Sequence, residues 1–356
     1  MKKQILRMFV GVAVLLSMLA TSCGQGTDTA DSQEAAARQV YRWRLQSWAP
    51  AGDATYEAAQ ALAEKISRAS DGQLVITTHT AGSIIPGGSE FDAVMDGSVE
   101  AVHGPPSWTI GYVPAAVFFT QYPGGLTANQ METWMNYEGI ELAQEIYGRF
   151  GTHFVGILTL SPAEVWAHSN RRLTSVDDIR GLKFRLGSTA LNEVFSRMGA
   201  TPVFLPGGEI YEAAQRGVID ALEYITPSID WGMGFHEVTD YMYLGPSRAP
   251  LDVQALWVNE DAWNELPEHL QEIVSLATHQ ASREYYARTL SRDAEAMPLF
   301  EEAGQVIEFV PEDIVELLNE KAIEYFTEES AKDEEYARIY QLHRDWQAIA
   351  EDFNVY

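Results

Sequence analysis

The sequence predicts an α/β protein with two open sheets and a helical C-terminus. Short apolar stretches with strand-like alternation are interleaved with segments whose apolar residues recur at spacings of three and four. From Asn259 onward the helical spacing continues almost without interruption to Tyr356. Alternating strands and helices are typical of open sheets covered by helices, in which ligands collect beyond the carboxyl ends of the strands.

The first part of the predicted fold alternates strands and helices. Residues 54–70 have helical spacing and end at Asp71-Gly72, a pair that favours a helix C-terminus. Residues 40–48 and 73–80, on either side, alternate as strands. Residues 90–106 contain a short helix and then a strand that stops at two prolines.

The middle and C-terminal parts continue this pattern. The predicted elements are a helix at 128–151, a strand at 152–160, a helical turn and strand at 175–187, and a helix, a break at Gly217 and a strand at 210–225. In the strand near residue 185, Lys183 and Arg185 alternate with buried apolar positions, which places a guanidinium at the end of a core strand. Pro267 and Pro311 are predicted in the first turns of C-terminal helices.

The N-terminus has the pattern of an export signal. Lys2, Lys3 and Arg7 precede a 13-residue apolar run, so residues 1–22 are predicted to be a signal peptide. Small residues come directly before Cys23, the single cysteine, and this pattern resembles a bacterial lipobox, which predicts lipidation of Cys23. Residues 23–40 are then a flexible tether of small and polar residues. The alternative is an ordinary signal peptide cut nearby, with Cys23 incidental.

The composition excludes several classes of partner. The chain carries 51 acidic and 24 basic residues, a formal charge of −27. A surface this acidic repels nucleic acid and anionic lipid, so neither is expected as a partner. No second long apolar run follows the N-terminal one, so the exported chain is not expected to be integral to a membrane.

The sequence contains none of the short motifs that mark common enzymes. It has no GxSxG nucleophile elbow, no HExxH zinc motif, no P-loop and no CxxC pair. The stretch GMGFHE at 232–237 lacks the third glycine of a dinucleotide fingerprint. An exported hydrolase that uses two scattered carboxylates stays open, because such pairs leave no short motif.

Four predicted strands end in a Gly or Pro break followed by polar or aromatic side chains. They are VHGPPSW at 102–108, TLSPAEVW at 159–166, FRLGS at 184–188 and LEYITP at 222–227. If these ends converge, they line a pocket.

Residues 175–228 resemble the core signature of the extracytoplasmic solute-binding subunits of tripartite ATP-independent periplasmic (TRAP) transporters. The matching positions are Gly181, Lys183, Arg185, Gly199, Pro202, Tyr211, Ala213, Gly217, Asp220 and Glu223. The resemblance extends from about Tyr41 to about Tyr356. It implies a periplasmic binding protein, not an enzyme, that captures a small organic acid and delivers it to the integral membrane permease subunits.

The resemblance also implies a two-lobed periplasmic binding protein fold with long inter-lobe helices and a helical C-terminus. On this basis lobe I is expected to comprise residues 41–162 and 250–290, and lobe II residues 163–249 and 291–356. Some relatives dimerise by exchanging a C-terminal helix, so a homodimer formed through these helices is expected.

In the family, the arginine at the position of Arg185 forms a two-pronged salt bridge with the ligand carboxylate. Physical chemistry favours this role, because a guanidinium matches both oxygens of a carboxylate and keeps its charge in a cleft. Lys183 is expected at the rim. The alternative is a structural arginine paired with Glu209 or Asp220.

The Glu164–Arg185 spacing and the pair Glu223-Tyr224 look most like the branch that binds 2-oxo or 2-hydroxy monocarboxylates together with a metal cation. In that branch a Gln matches Glu164, and Ala249 here replaces a further acidic residue for which Asp252 could compensate. The resemblance thus implies that Glu164, Glu223, Tyr224 and Asp252 hold the metal.

Two carboxylates beside one arginine need a further positive charge, or their pKa values rise. Ca²⁺ or Na⁺ bridging the ligand would supply it. A zwitterionic ligand, such as an amino acid or an ectoine-like molecule, would supply it without metal.

Aromatic residues at strand ends complete the predicted site. Trp48, Trp108, Trp166 and Tyr224 are expected to stack on the ligand, and the alternative for each is core packing.

Overall fold

The computed structural model describes residues 39–352. Within this range the chain forms the following strands: β1 (Tyr41–Ser47), β2 (Leu74–His79), β3 (Ala101–Gly104), β4 (Thr152–Ser161), β5 (Ala167–Ser169), β6 (Lys183–Arg185), β7 (Thr201–Val203), β8 (Ala221–Leu222), β9 (Tyr241–Leu244), β10 (Asp252–Asn259) and β11 (Val306–Phe309). The predicted signal peptide, most of the tether and Cys23 lie outside the described residues.

The helices alternate with these strands. They are α1 (Ala54–Ala69), α2 (Glu90–Met95), α3 (Ala128–Trp134), α4 (Ile140–Gly148), α5 (Thr189–Arg197), α6 (Ile210–Gln215), α7 (Pro227–Gly232), α8 (Glu260–Asn264), α9 (Glu268–Glu302), α10 (Glu312–Ser330) and α11 (Glu334–Asp352). Six short helical turns lie between them in the described range: 106–109, 114–119, 135–139, 176–179, 207–209 and 235–237.

The strands form two sheets. The first has the order β2-β1-β3-β10-β4, in which β1 runs parallel to β2 and β3, whereas β10 runs antiparallel to β3 and β4. The second has the order β11-β9-β5-β8-β6-β7, with β6 parallel to β7 and β8. The predicted α/β class with two sheets and a helical C-terminus is therefore confirmed. The strands of the first sheet come from within 41–162 and 250–290; the lobe boundaries themselves stay a prediction.

Local sequence explains the first helix and its neighbours. Asp53 caps α1, because its Oδ1 accepts a hydrogen bond of 2.8 Å from the backbone N–H of Thr55. The apolar face of α1, which includes Leu62 and Ile66, packs against β2 with no exposed area at either residue. The apolar residues whose spacing predicted this helix are thus the ones that pack into the core.

The long helix α9 connects the two sheets. It packs against β4 and α1 on the side of the first sheet, and against α7 and β11 on the side of the second. Pro267 precedes its first turn, as Pro311 does for α10, so both prolines stand at the N-cap and not inside the first turn as predicted. The backbone φ of an extended residue just before a helix is compatible with the proline ring, so proline fits the N-cap as well as the first turn.

Several elements differ from the sequence predictions. β5, β7, β9, β10 and β11 were not predicted as strands; β11 interrupts the C-terminal part that was predicted as helical. The helix predicted over 128–151 divides at a wide turn, 135–139. A Cβ at Gly139 would lie 2.8 Å from Met135 Sδ and 2.9 Å from the Trp134 ring, so only glycine fits this turn.

The C-terminal helices pack on both parts of the molecule. α10 packs against α5, whereas α11 packs against the turn at 114–119 and against α3. His343 of α11 is fully buried there, and its Nδ1 lies 3.1 Å from the Tyr122 hydroxyl. This packing joins α11 to elements predicted for lobe I, although α11 itself was predicted for lobe II. Among residues 39–352 no helix is long and apolar enough to cross a membrane.

Candidate ligand-binding cleft

Two connected cavities lie where the ends of β1, β3, β6 and β8 meet. An inner cavity of about 40 Å³ is lined by Arg185, Glu223, Tyr224, Asp252 and Gln254, among others. An outer cavity of about 570 Å³ shares four lining residues with the inner one, namely Trp48, Ser107, Trp108 and Gly187. Three of the four predicted strand ends, 102–108, 184–188 and 222–227, therefore do converge, whereas no residue of the fourth, 159–166, lines either cavity.

Arg185 is the last residue of β6 and lines the inner cavity with only 6% of its surface exposed. Its Nε donates to the Leu205 carbonyl at 3.1 Å, and its Nη1 donates to the carbonyl and to Oε1 of Glu223 at 2.7 and 3.0 Å. Nη2 donates no hydrogen bond to any residue in 39–352. The guanidinium is thus held in place by the protein while one terminal nitrogen stays available for a ligand.

These contacts settle how Arg185 is paired. The alternative pairing with Glu209 or Asp220 is wrong, because its carboxylate partner is Glu223 and Asp220 instead accepts from the Lys183 N–H at 3.0 Å. The side chain of Lys183 is exposed, as expected for a rim residue. The two N–H bonds of Nη2 point in different directions, so a two-pronged grip on a carboxylate would require Nη1 to release one of its two acceptors on Glu223.

Glu223 follows β8 directly and organises the inner cavity. Its Oε1 accepts from the Gly187 N–H at 2.6 Å as well as from Arg185. A Cβ at Gly187 would lie 3.2 Å from this oxygen and 3.5 Å from Arg185 Nη1, so glycine allows the backbone to approach the ion pair. Glu223 therefore serves as the anchor of Arg185.

A second arginine, Arg248, was missed by the sequence analysis. It is fully buried; its Nη1 lies 3.0 Å from Glu223 Oε2 and its Nη2 lies 2.5 Å from Glu164 Oε2. Its remaining donors reach the carbonyls of Val165 and Trp166. A signal existed in the stretch GPSRAP (245–250), where one arginine stands between a Gly-Pro break and a buried strand.

Arg248 corrects the charge argument made from the sequence. The positive charge between Glu164 and Glu223 is its guanidinium, so these two carboxylates need no metal ion to be compensated. Burial nevertheless raises the pKa of Glu164 well above its usual range, opposed by the attraction of Arg248. Glu164 lines neither cavity, and its Oε2 is engaged by Arg248, while its Oε1 is buried without a hydrogen-bond donor among the described residues. Its role as a ligand of substrate or metal stays a prediction.

Asp252 and Gln254 bring further oxygen atoms to the inner cavity. Both lie on β10, and Gln254 Nε2 donates to Asp252 Oδ2 at 2.7 Å. Gln254 Oε1 is buried and accepts no hydrogen bond from the residues described. Burial raises the pKa of Asp252 to about 7. An acceptor without a donor beside a buried carboxylate is an environment that a cation would satisfy.

These oxygen atoms fit a hard cation better than the predicted set does. Glu223, Asp252 and Gln254 line one cavity, and all offer oxygen. No cluster of three or more His, Cys, Asp or Glu residues suited to a metal occurs among residues 39–352. A cation here would therefore use the Gln254 amide oxygen and oxygens of the ligand in addition to the two carboxylates.

The predicted aromatic residues divide into two groups. Trp48, Trp108 and Tyr224 line the inner cavity, with Trp48 edge-on to Trp108 at a centroid distance of 5.9 Å. Trp48 Nε1 is a buried donor with no acceptor in the described part of the chain. Trp166 is fully buried between Phe184 and Phe195, so its predicted stacking on the ligand is wrong and it belongs to the core.

Tyr224 joins the two sides of the cleft. Its hydroxyl donates to Asp53 Oδ2 at 2.9 Å, and Asp53 precedes α1, which covers the first sheet. The Arg185 guanidinium lies 5.9 Å from the centre of the Tyr224 ring. The ring is thus fixed between Arg185 and the opposite wall.

The sequence pattern of the bacterial extracellular solute-binding proteins of family 7 matches residues 45–332. The chain belongs to this family. It is the solute-binding protein of a TRAP transporter, an extracytoplasmic receptor for a small ligand that works with membrane permease subunits.

Similar proteins of known ligand support the relationship. A monocarboxylate 2-oxoacid-binding periplasmic protein of Nostoc is 31% identical over 91% of this chain and 88% of its own length. A TRAP solute-binding protein of Pseudoalteromonas atlantica, solved with sodium and pyruvate, has a TM-score of 0.84 at 28% identity over 88% of this chain and 96% of its own. One from Bordetella bronchiseptica, solved as a dimer with calcium and picolinate, has a TM-score of 0.85 at 26% identity over 88% and 94%. The predicted two-lobed fold is confirmed by these structures.

Proposed function

We propose that this TRAP solute-binding protein captures a 2-oxo or 2-hydroxy monocarboxylate. The observation that carries the proposal is that two unused donors, Nη2 of Arg185 and the buried Nε1 of Trp48, belong to residues that line the same inner cavity. A carboxylate needs a fixed positive charge, and an adjacent oxo or hydroxyl oxygen can accept from an indole N–H. The relatives that bind 2-oxoacids or pyruvate support the same ligand class.

We propose further that a cation, Ca²⁺ or Na⁺, bridges the ligand and the protein. Its protein ligands would be Glu223, Asp252 and Gln254, because their oxygens share the inner cavity with Arg185. Tyr224 stays a candidate metal ligand from the sequence prediction. When bound, the cation supplies positive charge for the carboxylate and the 2-oxygen of the substrate, and the protein holds these groups against Arg185 and Trp48.

A zwitterionic ligand is the second candidate. An ectoine-binding periplasmic protein of Halomonas elongata is 27% identical over 69% of this chain and 71% of its own length. In this case the positive part of the ligand would face Glu223 and Asp252 and stack on Trp48 or Trp108, without metal.

Titration calorimetry separates these proposals. The protein is dialysed against a chelator in sodium-free buffer and titrated with pyruvate, with lactate and with ectoine, then again after addition of Ca²⁺ or Na⁺. We expect pyruvate to bind at least tenfold more weakly without the cation and to regain its affinity when the cation is returned. If the affinity for pyruvate is the same with and without the cation, the cation is excluded. If ectoine binds and neither pyruvate nor lactate does, the zwitterion is the ligand class and the monocarboxylate is not.

We infer that the protein does not turn its ligand over. The absence of enzyme motifs from the sequence supports this, as does the pairing of Glu164 and Glu223 with Arg248, which leaves neither glutamate as a free acid or base. The alternative, an exported hydrolase with two carboxylates, predicts product formation. Nuclear magnetic resonance of a bound 2-oxo acid over hours would reveal any such product.

We propose that residues 1–22 are removed and that Cys23 carries the lipid that anchors the protein to a membrane. The basic start, the apolar run and the small residues before Cys23 support this. In cells supplied with a labelled fatty acid, the protein should take up label and fractionate with membranes. Cys23→Ser should remove both properties. If the parent protein takes up no label, Cys23 is not lipidated and residues 1–22 are an ordinary signal peptide.

We propose a homodimer formed through the C-terminal helices. α10 and α11 leave Ile323 and Ile349 about half exposed, and Tyr137 stacks with Trp346 at the surface. Sedimentation of the purified protein should give twice the monomer mass, and Ile323→Glu with Ile349→Glu should reduce it to the monomer. A monomer in the parent protein would contradict the dimer.

A further inference from the structure

The outer cavity extends the inner one toward the surface of the cleft. The two share Trp48, Ser107, Trp108 and Gly187, and the outer volume is about 570 Å³ against about 40 Å³ for the inner cavity. A ligand whose carboxylate reaches Arg185 therefore directs its other end past Trp48 and Trp108 into the outer cavity. The methyl group of pyruvate would leave most of that volume without ligand atoms.

The outer cavity has an apolar and uncharged lining. Its large side chains are Trp48, Trp108, Ile110 and Phe204, and none of the lining residues among those described is charged. Phe204 is 54% exposed, so its ring offers apolar surface to a ligand in this cavity. A second carboxylate or an ammonium group on the ligand would find no opposite charge there.

Polar groups in the outer cavity are few. They are the hydroxyls of Ser107, Ser188 and Thr189 and the amide of Asn192, whose Oδ1 is buried without a hydrogen-bond donor among residues 39–352. One such acceptor is satisfied by a water molecule or a single hydroxyl. The lining therefore does not suit a ligand with many hydroxyl groups.

Glycines provide the room in this cavity. Gly87, Gly88, Gly111 and Gly208 line it, and a Cβ added at any of them would meet no atom within 4 Å. A side chain can therefore be added at these positions of the lining without a clash at the Cβ. Gly208 has a φ outside the left-handed region and accepts a larger residue without backbone strain.

We infer that the substrate is a 2-oxo monocarboxylate with an uncharged, mainly apolar side chain longer than the methyl of pyruvate, either branched aliphatic or aromatic. This inference rests on the proposed function, and it adds the class of side chain. Each methylene group transferred from water to the aromatic lining is expected to raise affinity roughly fourfold.

A series of ligands tests the inference by calorimetry on the full protein with the cation present. The series is pyruvate, 2-oxobutanoate, 2-oxopentanoate, 4-methyl-2-oxopentanoate, phenylpyruvate and 2-oxoglutarate. From pyruvate to 2-oxopentanoate we expect the Kd to fall at least tenfold. 2-Oxoglutarate, of the same chain length but with a second carboxylate, should bind at least tenfold more weakly than 2-oxopentanoate.

A matched pair of variants locates the effect. Gly208→Leu adds a side chain to a residue that lines the outer cavity, and Gly148→Leu adds one at the end of α4, where a Cβ also meets nothing within 4 Å. Gly208→Leu should raise the Kd of 4-methyl-2-oxopentanoate at least tenfold more than that of pyruvate. Gly148→Leu should leave the ratio of the two values within twofold of the parent.

The outcomes distinguish this inference from the proposed function. If pyruvate binds most tightly, or if Gly208→Leu weakens both acids equally, the inference is wrong and the monocarboxylate receptor stands. If none of the 2-oxo acids binds, the proposed function fails together with the inference.

Discussion

Arg248 and Glu223 form a buried ion pair, with 3.0 Å between Nη1 of the arginine and Oε2 of the glutamate. The other oxygen of Glu223 lies 3.0 Å from Arg185 Nη1, and the other end of Arg248 contacts Glu164. The charges therefore alternate from the interior to the cleft, in the order Glu164, Arg248, Glu223 and Arg185. Because each buried charge has an opposite neighbour, Arg185 is held at the cavity while the other three charges stay compensated in the interior.

Replacing Arg185 tests the ligand contact. Arg185→Ala should weaken binding of the native carboxylate about a hundredfold, on the order of 3 kcal/mol, because the desolvated carboxylate loses a charge-assisted partner. Arg185→Lys should recover only part, since an ammonium has a different reach. The control is Lys183→Ala on the exposed side of β6, which should leave the Kd within twofold. Parent-like calorimetry for Arg185→Ala would show that the arginine is structural.

Replacing Arg248 tests the ion-pair chain. Arg248→Met should lower the free energy of unfolding by about 3–5 kcal/mol, because Glu164 and Glu223 lose their shared countercharge. Adding Glu164→Gln should restore at least half of the loss, since one of the two uncompensated charges is then gone. Urea unfolding of the four proteins of this cycle measures the coupling. Additive effects of the two substitutions would argue against the pairing.

The Tyr224–Asp53 hydrogen bond should contribute to stability. Tyr224→Phe removes the hydroxyl that Asp53 Oδ2 accepts, while Asp53 keeps its bonds to Thr55 through Oδ1. We expect a loss of about 1–2 kcal/mol in the free energy of unfolding. Tyr137→Phe is the matched control, because Tyr137 is 74% exposed and its change should be near zero. Equal stability of the two variants in thermal unfolding would mean that the bond contributes nothing.

His343 should make stability fall in acid. Burial among aromatic side chains lowers the pKa of His343 to about 3, whereas an unfolded histidine titrates near 6.5. Between these values the unfolded chain binds a proton that the folded chain does not, so the stability that the neutral histidine contributes is lost as the pH falls from about 6.5 to about 3. The loss amounts to at most about 5 kcal/mol, at 1.36 kcal/mol for each pKa unit.

His343→Phe should therefore reduce the acid dependence of the free energy of unfolding between pH 7 and pH 4. The buried His103, whose pKa burial also lowers to about 3, keeps part of the dependence in this variant. His279→Phe, at an exposed position on α9, is the control and should keep the slope of the parent. An unchanged slope in His343→Phe would contradict the assignment.

The sequence by itself determined the α/β class, the family and the central position of Arg185. Helical spacing in 54–70 and strand alternation in 181–186 are local patterns, and each follows from which face of one element is buried. Strand ends broken by Gly or Pro likewise indicated Arg185, Glu223 and Tyr224, because the carboxyl ends of neighbouring strands meet. β5, β7, β9, β10 and β11 were missed, and β5 and β11 are short strands whose pairing partners lie far away in the chain.

Only the tertiary structure decided which charges meet. Glu164, Glu223 and Arg248 are up to 84 residues apart, and nothing in their local patterns shows that one guanidinium lies between the two carboxylates. The same holds for Trp166, which stands after a strand-end break as Trp108 does but faces the core. It holds also for Gln254, a polar residue among apolar ones whose buried oxygen no local pattern indicates. Burial and charge compensation depend on every element that packs around a side chain, so they are properties of the assembled fold and not of any single segment.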